Sequence, residues 1–453
     1  MSPRLRGALA LALSGLTLVG LGGLTAISQA TPTPAPGSLP PVKHVWTIML
    51  ENEDYAEWAG QDVLTGSAYL HRLALQGAFV PNYFGTGHSS GDNYTAMISG
   101  QGPTPDTQGD CSDDSVVGGD YVHSGFGFDA DGQALGDPAK IAAGAKVGCT
   151  YAADVKTVVD QLKAAHLTWR GYMEDIDASP TTLRTTCQAA RWATQLNAPA
   201  GAKDEPFNDY KRKHDPFEYF HSITGLEPAT GTPSADCDAN VVPMHRLFDD
   251  LKHKKTTPSF SYITPDQCHD GHDSPCKDGS AGGVAEIDAF LPSIIDPILA
   301  SPAYADGGLL IVTFDEGSEA FACCGEKHSP NLSAINDNGL ISEDAGNPVP
   351  LGSLAVAPTR GGGQTGALML SPYIAPGTVT ASCYNHYSYL RSIEDLFRLT
   401  PRRTGIAGSD GKGHLGYAGA IGDGVVPTMI GDKVVACATP SAFGSDIFTN
   451  DQP

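Results

Sequence analysis

The run Leu309-Leu310-Ile311-Val312-Thr313-Phe314 ends directly on Asp315-Glu316. It is short, apolar and rich in branched side chains, the pattern of a strand covered on both faces. His44 to Leu50 (HVWTIML) has the same form and closes on Glu51-Asn52. Gly77–Tyr83, Leu167–Met173, Ser259–Thr264 and Ala367–Leu370 read as further strands. Helical segments fall between them: Ala68–Gln76, a stretch with Val155, Val158, Val159 and Leu162 at helical spacing, Val241–Lys252, and Val284–Ala300 with Pro292 and Pro297 inside it. Tyr387–Leu399 is the strongest, with Leu390, Ile393, Leu396 and Phe397 on one face.

Strands alternating with helices predict an α/β fold: a mostly parallel central sheet with helices on both faces, in a single large domain with loop insertions. Such sheets bind ligands outside the carboxyl ends of their strands. Here the polar residues gather at those ends: Glu51-Asn52, Ser90, Asp270 to His272, and Asp315-Glu316.

Ser90 lies in Phe84 to Gly100, FGTGHSSGDNYTAMISG. Glycines surround His88, Ser89 and Ser90, and a helical segment follows from about Asn93. A hydroxyl placed before a helix start stands where free backbone N–H groups favour an anion. Such a serine can attack phosphorus, though taken alone a serine-rich glycine loop is usually a plain loop.

The chain has 453 residues and 41% hydrophobic content, enough for a large core. Its net charge is −23, from 51 acidic and 28 basic residues. That argues against nucleic acid and against general adhesion to anionic membranes. An anionic substrate therefore needs local positive charge, most economically a metal ion. Arg4 and Arg6 precede an apolar run from about Ala8 to Ile27, and Ser28-Gln29-Ala30 offers a cleavage site, so residues 1–30 read as a signal peptide. The rival reading is an uncleaved anchor. Residues 31–42 read as a Pro-rich tether, 43–400 as the catalytic domain, and 401–453 as a Gly-rich extension packed on or continuing it. No other segment reads as membrane-spanning. Ten cysteines fit an oxidising, extracytoplasmic setting, and Cys268 and Cys276 are placed to staple a short loop. Gln101–Val147 and Ser318–Gly363 read as insertions.

Glu51, Asn52, Asp315 and Glu316 supply three carboxylates and an amide oxygen, a set that suits Mg²⁺, Mn²⁺ or Ca²⁺; added histidines shift it toward Zn²⁺. Each pair alone reads equally well as strand-end turn residues. His269-Asp270-Gly271-His272-Asp273 is either a metal or acid–base segment or a solvated polar loop; if it is extended, Asp270 and His272 share one side. His214 sits in the basic run Lys211-Arg212-Lys213-His214, a phosphate-holding spot or a solvated surface.

In order along the chain, Glu51-Asn52, HSSGDNYTAMISG from His88, GYMED from Gly171, KRKHDPFEYF from Lys211, PDQCHDGHD from Pro265, TFDEG from Thr313 and YNHYSYLRSIEDLF from Tyr384 resemble the phosphoesterase family of secreted acid phosphatases and phospholipases C, within the alkaline-phosphatase superfamily. The resemblance implies an alkaline-phosphatase-like fold and a phosphate-ester substrate, either a small molecule or a phosphoinositide. It implies that Ser90 is the nucleophile and also a metal ligand, that Glu51, Asn52, Asp315 and Glu316 hold a divalent metal, and that Asn93 bonds a phosphoryl oxygen. It further implies that Asp270, His272 and His386 complete the site as ligands or as the acid, and that His214 assists binding or proton transfer. Family members usually carry prolines around the nucleophile, where Ser89 and Asp92 stand here; Ser89 is thus a rival nucleophile, and alignment on Asn93-Tyr94 selects Ser90. Phospholipase C members carry an aromatic-Asp-His sequence after the Asp-Glu pair, and SEAFACC from Ser318 lacks it. The expected activity is that of a secreted phosphomonoesterase of the acid phosphatase kind, some of which act on phosphatidylinositol 3-phosphate. A phospholipase C-type diesterase and a non-catalytic exported binding protein are the alternatives.

Overall fold

The computed structural model describes residues 39–60, 66–102, 124–125, 150–151, 153–177, 210–225, 234–317, 340–344, 347–350, 362–421, 428–430, 433–436 and 440–448. The expected signal peptide, residues 31–38 of the tether and most of both insertions lie outside these residues.

Eight strands among the described residues form one sheet: β1 (His44–Leu50), β2 (Ala78–Val80), β3 (Trp169–Met173), β4 (Val241–Pro243), β5 (Phe260–Thr264), β6 (Gly308–Phe314), β7 (Ala367–Leu370) and β8 (Thr378–Val379). Their order across the sheet is β8-β2-β7-β6-β1-β5-β3-β4. Only β7 runs against its neighbours, β2 and β6; the remaining pairs are parallel. This is the expected α/β architecture. The two runs that end in carboxylates are adjacent and in register, with Leu50 opposite Phe314.

Alternation along β1 explains why every residue in it is buried. Val45 and Met49 point to one face, and Trp46, Ile48 and Leu50 to the other. Helix α1 (Ala68–Ala74) packs Tyr69, Leu70 and Leu73 on the Trp46 face. Helix α2 (Ser90–Ser99) packs Tyr94, Met97 and Ile98 on the Val45 face, and α3 (Val158–Ala164) adds Val158, Val159 and Leu162 there. Helix α4 (Gly283–Ala300) returns to the Trp46 face through Ile287, Leu291, Ile294, Ile295 and Ile298. It passes unbroken through Pro292 and Pro297, which stand half-exposed off that apolar stripe. Helix α5 (His386–Leu396) packs Tyr389, Leu390, Ile393 and Leu396 on the Val45 face. Tyr389 OH lies 2.6 Å from Thr47 Oγ1, the polar atom at the centre of β1.

One expectation is corrected. Val241 to Lys252 is not a continuous helix: Val241–Pro243 is the edge strand β4, parallel to β3, and only Arg246–Asp250 is helical. Two β-branched residues before a proline favour an extended edge, where the missing N–H costs no ladder bond.

Beyond residue 400, Leu415 and Phe443 bond to α5. The Leu415 N–H donates to Glu394 Oε1 at 2.9 Å, and the Phe443 N–H to Ser392 Oγ at 2.8 Å. No helix among the described residues is long and apolar enough to cross a membrane.

Candidate active site

Strand β1 stops at Glu51 because Asn52 takes a left-handed conformation, φ 54°, which asparagine tolerates better than most residues. The turn is held from both sides: the Glu51 N–H donates to the Asp270 carbonyl at 2.9 Å, and the Asn52 N–H to Asp315 Oδ1 at 3.0 Å. Three strand ends, those of β1, β5 and β6, thereby meet. Helix α2 comes to the same rim. Ser89 is its N-cap in extended conformation, so Ser90 is the first helical residue. The approach is close: a Cβ on Gly85 would lie 2.6 Å from the Asp315 carbonyl and 2.7 Å from Gly362 Cα, so the loop needs glycine there.

Ser90 Oγ donates to Glu51 Oε2 at 2.9 Å and accepts from Lys213 Nζ at 3.1 Å. His214 Nε2 lies 3.0 Å from Glu51 Oε1, and its Nδ1 lies 3.4 Å from Asp270 Oδ2. The imidazole is stacked on Tyr94, ring centroids 5.0 Å apart and planes within 4°. His214, Glu51 and Asp270 are all fully enclosed. Neither imidazole contact has the alignment of a hydrogen bond, so Glu51 Oε1 and Asp270 Oδ2 are buried without a hydrogen-bond partner, as is Asp315 Oδ2 nearby.

Burial alone would raise the Glu51 carboxyl, but the charge of His214 and then of Lys213 reverses this and holds it well below the usual range. Burial lowers the His214 imidazole, and Glu51 and Asp270 more than compensate, so it stays above its ordinary value. Burial pushes Asp270 up, as does the Glu51 charge. Asp315 is driven well up by burial and by the charges of Glu51 and Glu316. A set of buried carboxyls that cannot all ionise together lacks positive charge. The oxygens left without partners, with one imidazole among them, fit a divalent cation. Glu51, His214 and Asp270 present ligand atoms within 4.8 Å of one another.

The structure places the other expected residues as follows. Asn93 closes the serine loop: its Oδ1 accepts from the Thr86 and Gly87 N–H groups at 2.8 and 2.9 Å, and its Nδ2 reaches the Gly87 carbonyl at 2.9 Å and Glu316 Oε2 at 3.5 Å. Asn52 is exposed, and its backbone rather than its amide contacts the cluster. Asp270 and His272 do not share a side. The segment is a turn through Gly271, φ 102°; Asp270 faces inward, and His272 Nδ1 turns out to Asp273 at 2.9 Å. His386 is enclosed, with Nε2 2.7 Å from the Asp315 carbonyl and Nδ1 3.1 Å from Tyr83 OH. A carbonyl only accepts, so Nε2 carries the proton and Nδ1 accepts from the tyrosine. Burial takes this imidazole down to about 4, so it is neutral. Cys268 and Cys276 form the expected bridge, around the loop that carries Asp270. Cys237 and Cys383 are also disulfide-bonded.

Two neighbours had been given no role of their own. Lys213 was one of several cations in a basic run; its position next to His214 was the available signal. His88 Nδ1 lies 3.6 Å from Glu316 Oε2 and stands two residues before Ser90.

The phosphoesterase family model matches residues 51–400, the segment that contains the candidate site. This chain belongs to the phosphoesterase family. Among its curated relatives, this phosphoesterase is 26% identical over 270 residues to a phosphate-repressible acid phosphatase of Penicillium chrysogenum, a match covering 60% of this chain and 47% of the relative. It is 25% identical over 301 residues to an acid phosphatase of Aspergillus fumigatus, covering 65% and 50%. The chain thus spans about half the length of the curated relatives it matches. Among solved structures, the phosphoesterase is similar to PsFucS1 sulfatase from Pseudoalteromonas sp., with TM-score 0.41, 9% identity, and 90% of this chain and 76% of that one covered. It is also similar to a protein in the alkaline phosphatase superfamily from Vibrio parahaemolyticus, with TM-score 0.38, 13% identity, and 81% and 68% covered. Neither likeness bears on activity.

Proposed function

We propose that this phosphoesterase is an exported, metal-dependent phosphomonoesterase that attacks through Ser90. The observation that carries the reading is the pairing of Ser90 Oγ with Glu51 Oε2, at a helix start and beside buried carboxylate oxygens that lack partners. The names of the relatives support the monoester class, and lipid monoesters such as phosphatidylinositol 3-phosphate fall within it. The disulfides and the leader-like start of the chain support export.

Ser90 Oγ, oriented by its hydrogen bond to Glu51 Oε2, attacks phosphorus, and its proton ends on the leaving oxygen. The bond to the leaving oxygen breaks, and water later releases phosphate and restores the hydroxyl. The positive end of the α2 dipole lies at Ser90, where the anion develops. A divalent ion held by Glu51, Asp270, Asp315 and His214, with Glu316 and Asn52 beside them, would neutralise phosphate charge and favour the serine alkoxide. His214, clamped on Tyr94, fixes the orientation of Glu51 and Asp270.

The test is phosphate release from p-nitrophenyl phosphate and from its diester analogue by purified protein, with and without chelator. Monoester turnover lost both on chelation and in Ser90→Ala is the expected result. Diester turnover alone would move the assignment to a phosphodiesterase, and full activity of Ser90→Ala would remove the serine mechanism.

A further inference from the structure

We infer that Lys213 is a catalytic residue: its ammonium group grips Ser90 Oγ and supplies the chain's own fixed positive charge at the point of attack. The inference rests on the serine phosphomonoesterase reading and adds to it a residue outside the carboxylate set.

Lys213 and His214 are consecutive in the short 3-10 turn Arg212–His214. In so tight a turn adjacent side chains diverge widely, and here they take opposite sides of one cluster. His214 goes to Glu51 Oε1 and Asp270, and Lys213 goes to Ser90 Oγ. The turn is not free to drift. The His214 N–H closes it on the Lys211 carbonyl at 3.1 Å, Thr264 Oγ1 donates to the His214 carbonyl at 3.2 Å, and the imidazole lies flat on Tyr94. A lysine carried by such an anchor arrives at the serine with its backbone already ordered.

The hydrogen-bond arithmetic at Ser90 is complete. A hydroxyl has one proton and two lone pairs. The proton is committed to Glu51 Oε2 and one lone pair to Lys213 Nζ, which leaves a single lone pair for phosphorus. The lysine thus fixes which direction the nucleophile faces. It also offsets local charge. A phosphate ester entering here meets Glu51, Asp270, Asp315 and Glu316, and among the described residues Lys213 is the side-chain cation in contact with the attacking oxygen. As the bond from Oγ to phosphorus forms and the bond to the leaving oxygen breaks, the proton lost by Oγ ends on the leaving oxygen. The ammonium keeps all its protons and remains beside the new bridging oxygen and the phosphoryl oxygens next to it. The ordinary alternative is a solvated lysine whose end rests on the serine, which predicts unchanged kcat.

Wild type, Ser90→Ala, Lys213→Met and Lys213→Arg are compared in metal-replete protein, reading kcat and KM on p-nitrophenyl phosphate and the melting temperature. Lys213→Met should lower kcat by about 100-fold or more, as loss of one preorganised charge donor does, with a smaller change in KM. Lys213→Arg should recover at least about tenfold of that loss, because it restores charge but not shape. Wild-type kcat and KM in Lys213→Met beside an inactive Ser90→Ala overturns the inference and leaves the serine reading intact. An active Ser90→Ala overturns both. If Lys213→Met also melts early, the arginine variant decides: recovery of melting without recovery of kcat makes the lysine structural and overturns the inference.

Discussion

At the scale of single residues, similar side chains meet different fates because their neighbours differ. His214 and His386 are both enclosed, yet one is held above its ordinary value by two carboxylates and the other is left neutral against a carbonyl and a phenol. His386 therefore supports the Asp315 backbone rather than facing the carboxylate oxygens. Replacing it with Phe strands two buried groups, and the expected cost is about 1–3 kcal/mol of stability. Folded His386→Phe should keep turnover within about tenfold. Denaturant unfolding and kcat measured on the same preparation check this, and a fully folded but inactive variant would return a chemical role to the imidazole. The residue types at the site were legible in the sequence, since carboxylates directly after buried runs are unusual enough to notice. Their orientations were not. Alternate spacing puts Asp270 and His272 on one side only if the segment is extended, and Gly271 turns the chain between them. Lys213 sat among other cations, where nothing in the order of letters separates a gripping ammonium from a solvated one.

At the scale of elements, the strands and helices that could be read are those with buried periodicity. β1, β6, β7 and α5 lie within a few residues of where the sequence puts them. β4 was not legible, because three residues at a sheet edge carry too short a pattern to compete with the helix that follows. Helix α5 has a feature that composition hides. Glu394 is enclosed on its inner side; Oε1 accepts the Leu415 N–H, while Oε2 has no hydrogen-bond partner. Burial drives this carboxyl well above its usual value. The folded chain then binds the proton more tightly than the unfolded chain, so stability falls as pH rises above about 4.3, the ordinary glutamate value. Glu394→Gln keeps the Leu415 bond and removes that slope. Its melting temperature should exceed that of wild type at pH 8 and approach it near pH 5. A variant less stable than wild type at pH 8 would mean that the carboxylate is compensated.

At the scale of the whole molecule, the site is a point where distant segments converge, and it concentrates like charge. Any cation that binds only the folded chain must stabilise it, by about 2.7 kcal/mol at a hundredfold excess over its dissociation constant. Melting of chelated protein should therefore rise on adding Mg²⁺, Mn²⁺, Ca²⁺ or Zn²⁺, and the ranking of shifts reports the preferred ion. Asp315→Asn should raise the melting point of the chelated protein and shrink the metal shift; no shift with any of the four would count against the metal reading. The sheet order carries a different consequence, in the time of synthesis. β1 lies at the middle of the sheet, and both of its partners come from segments much further along the chain. Its partners, beginning at Phe260 on one side and Gly308 on the other, leave the ribosome far later. Until then HVWTIML is an unpaired apolar ribbon, and no early fragment can close around it. The sheet therefore cannot close around β1 until synthesis has passed Phe314.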